Sequence, residues 1–294
     1  MALKAMVFGK AGQLGSELVR VLTGRGCDVT GLGRNDLDVT DKSAVEHAIA
    51  ARMPDLVLNA TAYNMVDVAE REPEAAFAGN ALAVRNIAVA CRQAAARLVH
   101  FSTDYVFDGE AGRPYTEADA PHPLGAYAVS KLAGELFVQA YLDDYLIIRT
   151  SGVFGLAGLN TARGNFVETM LRLAQRDEPI RVVEDFVASP TYAPPLAERT
   201  ALLVERGLKG IFHAGGGVAI SWFEFAKLIF STAGMDPELR ATNAREHRTP
   251  ARRPRYSALA NARMEAEGIL AMPPLTEALT AYMEGRAQAI AART

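Results

Sequence analysis

The chain has 294 residues, half of them apolar and 22% charged, with a net charge of −3. That composition excludes a disordered chain. The weakly acidic balance, with basic residues dispersed apart from the run RTPARRPR at 248–255, gives no footprint for a nucleic-acid backbone. No apolar run approaches the ~20 residues that cross a bilayer, and MALKAMVFGKAG enters a strand pattern directly rather than a cleavage site, so a cytoplasmic protein without membrane or nucleic-acid partners is expected.

The first 150 residues alternate short β-branched runs with longer helical ones. KAMVFG, CDVTGLG, PDLVLNATA, RLVHFSTD and DYLIIRTS read as strands, and QLGSELVRVLTGRG, DKSAVEHAIAARM, AAFAGNALAVRNIAVACRQAAA and AYAVSKLAGELFVQAYL as the helices between them. This is the pattern of a parallel sheet with crossover helices, an α/β fold of Rossmann type. Residues 1–150 are therefore expected to form a dinucleotide-binding domain, with returning segments within about 180–234, and residues 151–294 to supply mainly a smaller substrate-binding domain.

Beyond Thr150 glycine and asparagine crowd GVFGLAGLNTARGN, and helix FVETMLRLAQR and proline-rich ASPTYAPPLAE follow. GIFHAGGG reads as a strand returning to the sheet. In SWFEFAKLIFSTAG, Ser221 is the expected N-cap with Glu224 in the capping-box position. TEALTAYMEGRAQAIAA reads as a closing amphipathic helix. Cys27 and Cys91 sit in apolar segments without C-x-x-C spacing or histidine neighbours, so they read as reduced core thiols and no metal site is expected.

Between the first strand and first helix, VFGKAGQLGSEL places Gly9, Gly12 and Gly15 in a G-x-x-G-x-x-G arrangement. Such a turn lets the backbone approach a pyrophosphate, whose charge is stabilised by the free N–H groups and dipole of the helix N-terminus. Gln13 and Leu14 belong to the same cofactor-binding loop. After the second strand an acid would accept from the ribose 2′-OH of NADH, whereas an arginine accommodates the 2′-phosphate of NADPH. Arg34 occupies that place and no acid follows until Asp36, which favours NADPH, with NADH as the alternative. Asp38 and Val39 fall where an adenine ring would lie. Ala60, Thr61, Ala62 and Tyr63 follow the third strand at the sheet's carboxyl edge, where small side chains leave room for a cofactor.

The fourth strand ends in Ser102 and Thr103, again at a carboxyl edge, and GAYAVSK follows some two dozen residues later. A Tyr-x-x-x-Lys is weak evidence alone, since it arises by chance in chains of this size. On a helix, however, Tyr127 and Lys131 share one face. A tyrosine with an ordinary pKa near 10 is a poor acid at neutral pH, and a fixed ammonium beside it favours the phenolate. The same ammonium suits the ribose hydroxyls of a nicotinamide cofactor, while Thr103 would hold a carbonyl oxygen as Tyr127 protonates it.

Taken in order, FGKAGQLG, DLDVTD, NATAYNMVDVAE, FSTDYVFDG, AYAVSKLAGE, IIRTSGVFG, GNFVETMLRLA, GIFHAGGG with SWFEFAKLIF, and RPRYSAL span almost the whole chain. On these motifs the sequence resembles the extended short-chain dehydrogenase/reductases, and among them the dTDP-4-dehydrorhamnose reductases. The resemblance implies a seven-stranded Rossmann-type sheet and NAD(P)H-dependent reduction at C4 of a nucleotide-linked 4-keto-6-deoxy sugar. It assigns Tyr127 as general acid, Lys131 as its tuning and ribose-binding partner, and Thr103 as the hydroxyl of the catalytic set. It also places Asn80 behind the catalytic strand, Asp104 and Tyr105 beside the sugar, and Arg253 toward the substrate's phosphates.

Two departures fall at the sugar end. Relatives commonly read RTSWVYG where this chain has RTSGVFG, so Gly152 stands in place of a pocket-lining tryptophan, and Phe186 and Ala188 replace a usual glutamine and glycine. Phe186 is a candidate to refill the space at Gly152. The alternative functions are a related reductase with a different sugar nucleotide, or a non-catalytic, dinucleotide-binding regulatory subunit resembling methionine adenosyltransferase β, which shares an S-x-D-Y-V-F-D-G segment and a Tyr-x-x-x-Lys. A homodimer is compatible with the sequence, which carries no signal for oligomeric state.

Overall fold

The computed structural model describes residues 2–161, 164–176, 178–246 and 248–292. The N-terminal alternation becomes β1 (Lys4–Phe8), α1 (Gln13–Gly24), β2 (Asp28–Leu32), α2 (Lys42–Arg52), β3 (Leu56–Asn59), α3 (Val66–Ala69), α4 (Pro73–Phe77), α5 (Ala83–Gln93), β4 (Arg97–Thr103), α6 (Ala126–Tyr141) and β5 (Tyr145–Thr150). The later chain adds β6 (Val153–Phe154), α7 (Phe166–Leu173), β7 (Ile180–Val183), β8 (Val187–Ala188), β9 (Thr191–Tyr192), α8 (Ala193–Glu205), β10 (Gly210–His213), β11 (Ile220–Ser221), α9 (Trp222–Ala233), β12 (Leu239–Thr242), α10 (Ala262–Ala266) and α11 (Leu275–Ala291).

Six strands join in one sheet in the order β10-β5-β4-β3-β1-β2, every pair parallel. Strands covered on both faces need apolar side chains on both faces, which is why runs such as LVLN of β3 do not alternate. Leu14, Leu18 and Leu22 of α1 and Leu196, Ala197 and Leu203 of α8 pack on one face. Val45 and Ile49 of α2, Ile87 and Cys91 of α5 and Val138 of α6 pack on the other. The result is the expected doubly wound, Rossmann-type α/β fold. The sheet has six strands rather than seven among the described residues, because the segment after β2 runs through turns at 34–36 and 39–40 straight into α2, placing no strand outside β2.

Strand β1 lies between β2 and β3, so the winding reverses there and a crevice opens at the carboxyl ends of the strands. The long alanine-rich helix is also interrupted. Between α4 and α5 the backbone takes a π-turn over Ala78–Leu82, which carries Asn80 inward. Such single π-turns re-aim side chains and cluster at functional sites.

The chain beyond β5 divides its packing. Helix α8 and β10 return to the main sheet, as the GIFHAGGG pattern indicated, whereas Phe154, Met170, Phe225, Ile229, Leu279 and Tyr282 build a separate core from α7, α9, α11 and the short strands. Ser221 caps α9 by accepting from the Glu224 N–H at 3.1 Å, as its sequence context predicts. Among the described residues no helix is long and apolar enough to cross a membrane.

Candidate functional site

A cavity of about 740 Å³ runs along the carboxyl ends of the strands. Its first wall is the loop between β1 and α1, with Gly9, Gly12, Gln13 and Leu14. Gly9 has φ +89°, and a Cβ built there would stand 3.0 Å from the Ala60 carbonyl group. Gly15 does not line the cavity. It is the close-approach position of the loop, since a Cβ there would fall 2.0 Å from the Gly9 carbonyl oxygen. The loop can therefore press its backbone against a ligand only with glycine at these places, the cradle that a pyrophosphate requires.

The Gln13 side chain is held by protein partners. Its Oε1 accepts from the Gly155 N–H and Asn165 Nδ2, each at 2.8 Å, and its Nε2 donates to the Val153 carbonyl at 3.2 Å. Gln13 thus ties the glycine loop to the segment after β5.

At one end of the cavity lie Arg34, Asp38 and Val39. Lys10 and Asp36 form an ion pair at 2.7 Å beside them, a contact the sequence did not indicate, and the Gly33 N–H donates to the same Asp36 oxygen at 2.7 Å. Lys10 holds the Asp36 carboxyl below its usual range, helped by that N–H. Ala60, Thr61, Ala62 and Tyr63 form the floor. Asn80, delivered by the π-turn, fixes this segment by accepting from the Tyr63 N–H at 2.8 Å and donating to the Tyr63 carbonyl at 2.9 Å.

Below the floor is a buried polar pair that the sequence did not reveal. Asn59 accepts from the Thr61 hydroxyl at 2.6 Å, and its Nδ2 lies 3.3 Å from Nδ1 of His100. An amide nitrogen only donates, so Nδ1 accepts and the His100 proton belongs on Nε2. Burial, with the Lys131 charge adding to it, pushes His100 well below the usual imidazole range and keeps it neutral.

At the other end Thr103, Asp104, Tyr127, Lys131 and Gly152 line the same cavity, together with Thr150 and Val153, which the sequence reading missed. Lys131 is 2% exposed and donates from Nζ to the Phe101 carbonyl at 2.6 Å. Burial lowers its pKa to about 8, while Glu135 one turn on pulls it up. Glu135 is itself gripped by Arg149, Nη2 to Oε2 at 2.7 Å and Nε to Oε1 at 3.0 Å, with both side chains buried. The Tyr127 ring meets Tyr105 edge to face at 6.0 Å.

At the sugar end four side chains take places that the sequence did not indicate. The Asp104 carboxyl turns into the protein, where it accepts from Ser151 Oγ at 2.9 Å and Ser257 Oγ at 2.5 Å. Arg253 does not line the cavity. Its guanidinium pairs with Asp67 in a two-pronged contact at 2.7 and 3.0 Å and donates to Thr249 at 2.5 Å. Tyr105 lies behind the lining, against Tyr127 and Arg253. Phe186 does not fill the space at Gly152 either. That place belongs to Trp222, whose backbone N–H donates to the Phe186 carbonyl at 3.1 Å and whose ring edge reaches Gly152.

A glycine cradle at a β1–α1 turn and a Tyr-x-x-x-Lys facing a strand-end threonine, all on one crevice of a parallel sheet, define a dinucleotide-dependent oxidoreductase class. The model of the RmlD substrate binding domain family matches residues 3–287. The dTDP-4-dehydrorhamnose reductase of Streptomyces griseus is 40% identical over 94% of this chain and 91% of its own. The Escherichia coli protein of the same name is 36% identical over 91% of this chain and 93% of its own. Among solved structures, the Bacillus anthracis dTDP-4-dehydrorhamnose reductase in complex with NADP superposes with a TM-score of 0.92 at 36% identity, covering 97% of this chain and all of that one. The chain belongs to the dTDP-4-dehydrorhamnose reductase family.

Proposed function

We propose that this protein reduces the C4 ketone of a nucleotide-linked 4-keto-6-deoxy sugar, as the names of its relatives indicate for the dTDP-linked substrate. The observation that carries the reading is that Thr103, Tyr127 and Lys131 line one cavity with the glycine loop and Arg34. When bound, NADPH supplies the hydride that adds to the carbonyl carbon.

The protein's own groups do the rest. Gly9 and Gly12 would let the loop backbone meet the pyrophosphate of a bound cofactor, and Arg34 would hold its 2′-phosphate. Lys131, one of whose protons goes to the Phe101 carbonyl, would donate to the ribose hydroxyls of the bound cofactor and stabilise negative charge on Tyr127. Thr103 donates to the carbonyl oxygen, and Tyr127 transfers its phenolic proton there as hydride adds to the carbon, so the ketone becomes an alcohol. The chain after β5, with its separate core, forms the substrate side of the cleft, and Gly152 with Val153 marks its wall.

Incubation with NADPH and dTDP-4-keto-6-deoxy sugars tests the reading. The expected result is NADPH consumption that depends on the sugar nucleotide and drops about 10²–10⁴-fold in Tyr127→Phe, with cofactor affinity retained. Cofactor binding without turnover on any 4-keto sugar would favour a regulatory subunit instead.

A further inference from the structure

Thr103 has one hydroxyl proton, and the proposed reaction needs it on the substrate carbonyl. In the structure it is directed elsewhere: Thr103 Oγ1 donates to Asp104 Oδ1 at 3.2 Å, while the Tyr105 N–H donates to Oγ1 at 3.2 Å. The second Asp104 oxygen accepts from Ser151 and Ser257. Among the described residues no ammonium or guanidinium forms an ion pair with this carboxyl, which is 3% exposed. A carboxylate only accepts, so in that form Asp104 holds the Thr103 proton turned inward.

We infer that Asp104 is a positioning residue for Thr103: as the neutral acid it donates from Oδ1 to Thr103 Oγ1 and releases the threonine proton toward the substrate carbonyl. Every hydrogen then has a place. Oδ2 still accepts from Ser151 and Ser257, Oγ1 accepts from Asp104 and from the Tyr105 N–H, and the Thr103 O–H points into the cavity. The proton on Asp104 comes from solvent and is not consumed, since Tyr127 supplies the one that ends on the product. The inference rests on the reductase reading and deepens it.

The surroundings permit such a neutral acid. Burial pushes Asp104 up to about 6, although hydrogen bonds from Ser257, Ser151 and Thr103 pull the other way. Tyr105 on its own turn feels the Asp104 charge, Arg253 reaches Tyr105, Arg149 on β5 stands in register with Ser102, and Lys131 on α6 reaches Phe101 of β4. Arg253 is committed to Asp67, Lys131 to the Phe101 carbonyl and Arg149 to Glu135. Because the folded-state pKa is raised, the donating form grows as pH falls through about 6 and is lost above it.

The test is the pH profile of kcat for sugar reduction under saturating NADPH, for the wild type, Asp104→Asn, Asp104→Ala and Ser257→Ala. The wild-type rate is expected to rise as pH falls through about 6. Asp104→Asn, whose amide donates at every pH, flattens that limb. Asp104→Ala leaves Thr103 with neither the donor nor the acceptor, so kcat is expected to fall about tenfold or more below pH about 6, where the wild type holds the donating acid, and the limb is lost. Ser257→Ala removes a hydrogen bond that favours the carboxylate, so the limb moves to higher pH. Unchanged NADPH affinity and melting temperature establish that each variant is folded. A wild-type profile flat near pH 6, a limb that persists in Asp104→Asn, or one that stays in place in Ser257→Ala overturns the inference while leaving the reductase intact. Absence of wild-type turnover overturns the reductase reading itself.

Discussion

Trp222 lies across the backbone of Gly152: a Cβ built on the glycine would meet the ring carbon Cη2 at 3.1 Å. Gly152 also has φ +51°, a conformation L-residues adopt at a cost of roughly 1–2 kcal/mol. The glycine is therefore required twice, by its own backbone and by an aromatic ring from α9. Gly152→Ala is expected to destabilise the protein by about 1–2 kcal/mol, read from chemical denaturation. Adding Trp222→Ala removes only the steric part, so the Gly152→Ala cost falls but does not vanish in the Trp222→Ala background.

Cofactor choice is expected to follow charge at the Arg34 end of the cavity. Lys10 neutralises Asp36 in an ion pair at 2.7 Å, and the charge of Arg34 acts on Asp38, whose carboxyl it helps the Thr40 N–H to hold below its usual range. NADPH should bind more tightly than NADH in direct fluorescence titration, and Arg34→Ala should weaken NADPH about tenfold with NADH nearly unchanged. Equal affinities in the parent protein would remove Arg34 from this role.

Lys131 supplies a pH dependence of opposite position to that of Asp104. Burial depresses its pKa to about 8 against an ordinary 10.5, so the ammonium is present below about 8 and lost above it. Affinity for NADH, whose 2′-hydroxyl does not titrate in this range, should fall as pH rises through about 8, and Lys131→Met should abolish that limb. For folding the sign is the reverse of a gained ion pair. The unfolded chain binds the extra proton between about 8 and 10.5, so this residue favours the folded state more as pH rises through that window.

The buried Glu135–Arg149 pair holds the helix carrying Tyr127 against β5, and Arg149 also lies 5.3 Å from the Phe107 ring centre. Removing one partner strands a charge without solvent. Arg149→Met is expected to cost about 3–5 kcal/mol, and the double change with Glu135→Leu less than that, because breaking such a pair is worse than replacing both members. Additive losses in a double-mutant cycle would contradict this.

Much of this arrangement was legible in the sequence. The apolar runs of β1 to β5 and the glycine spacing at 9, 12 and 15 are local signals, and local signals specify strands, turns and the Tyr127–Lys131 helix face. The capping of α9 by Ser221 is of the same kind. What stayed hidden depends on partners far away in the chain. Arg253 is captured by Asp67, 186 residues earlier, and Asp104 turns toward Ser257, 153 residues later. The π-turn that aims Asn80 at Tyr63 has no helix-breaking residue other than Gly79, and Trp222 reaches Gly152 only because α9 packs against the segment after β5. No spacing rule within one element predicts such contacts.

The central claim is that hydride reaches C4 of the sugar as Tyr127 protonates the oxygen. It is tested most directly by turning over a dTDP-4-keto-6-deoxy sugar with NADPH carrying deuterium at the transferred position, and reading the product by NMR. The expected product is an alcohol at C4 with deuterium on that carbon, and none is detected with Tyr127→Phe on the same timescale. Oxidised cofactor with no label on the sugar, or label at a different carbon, would contradict it.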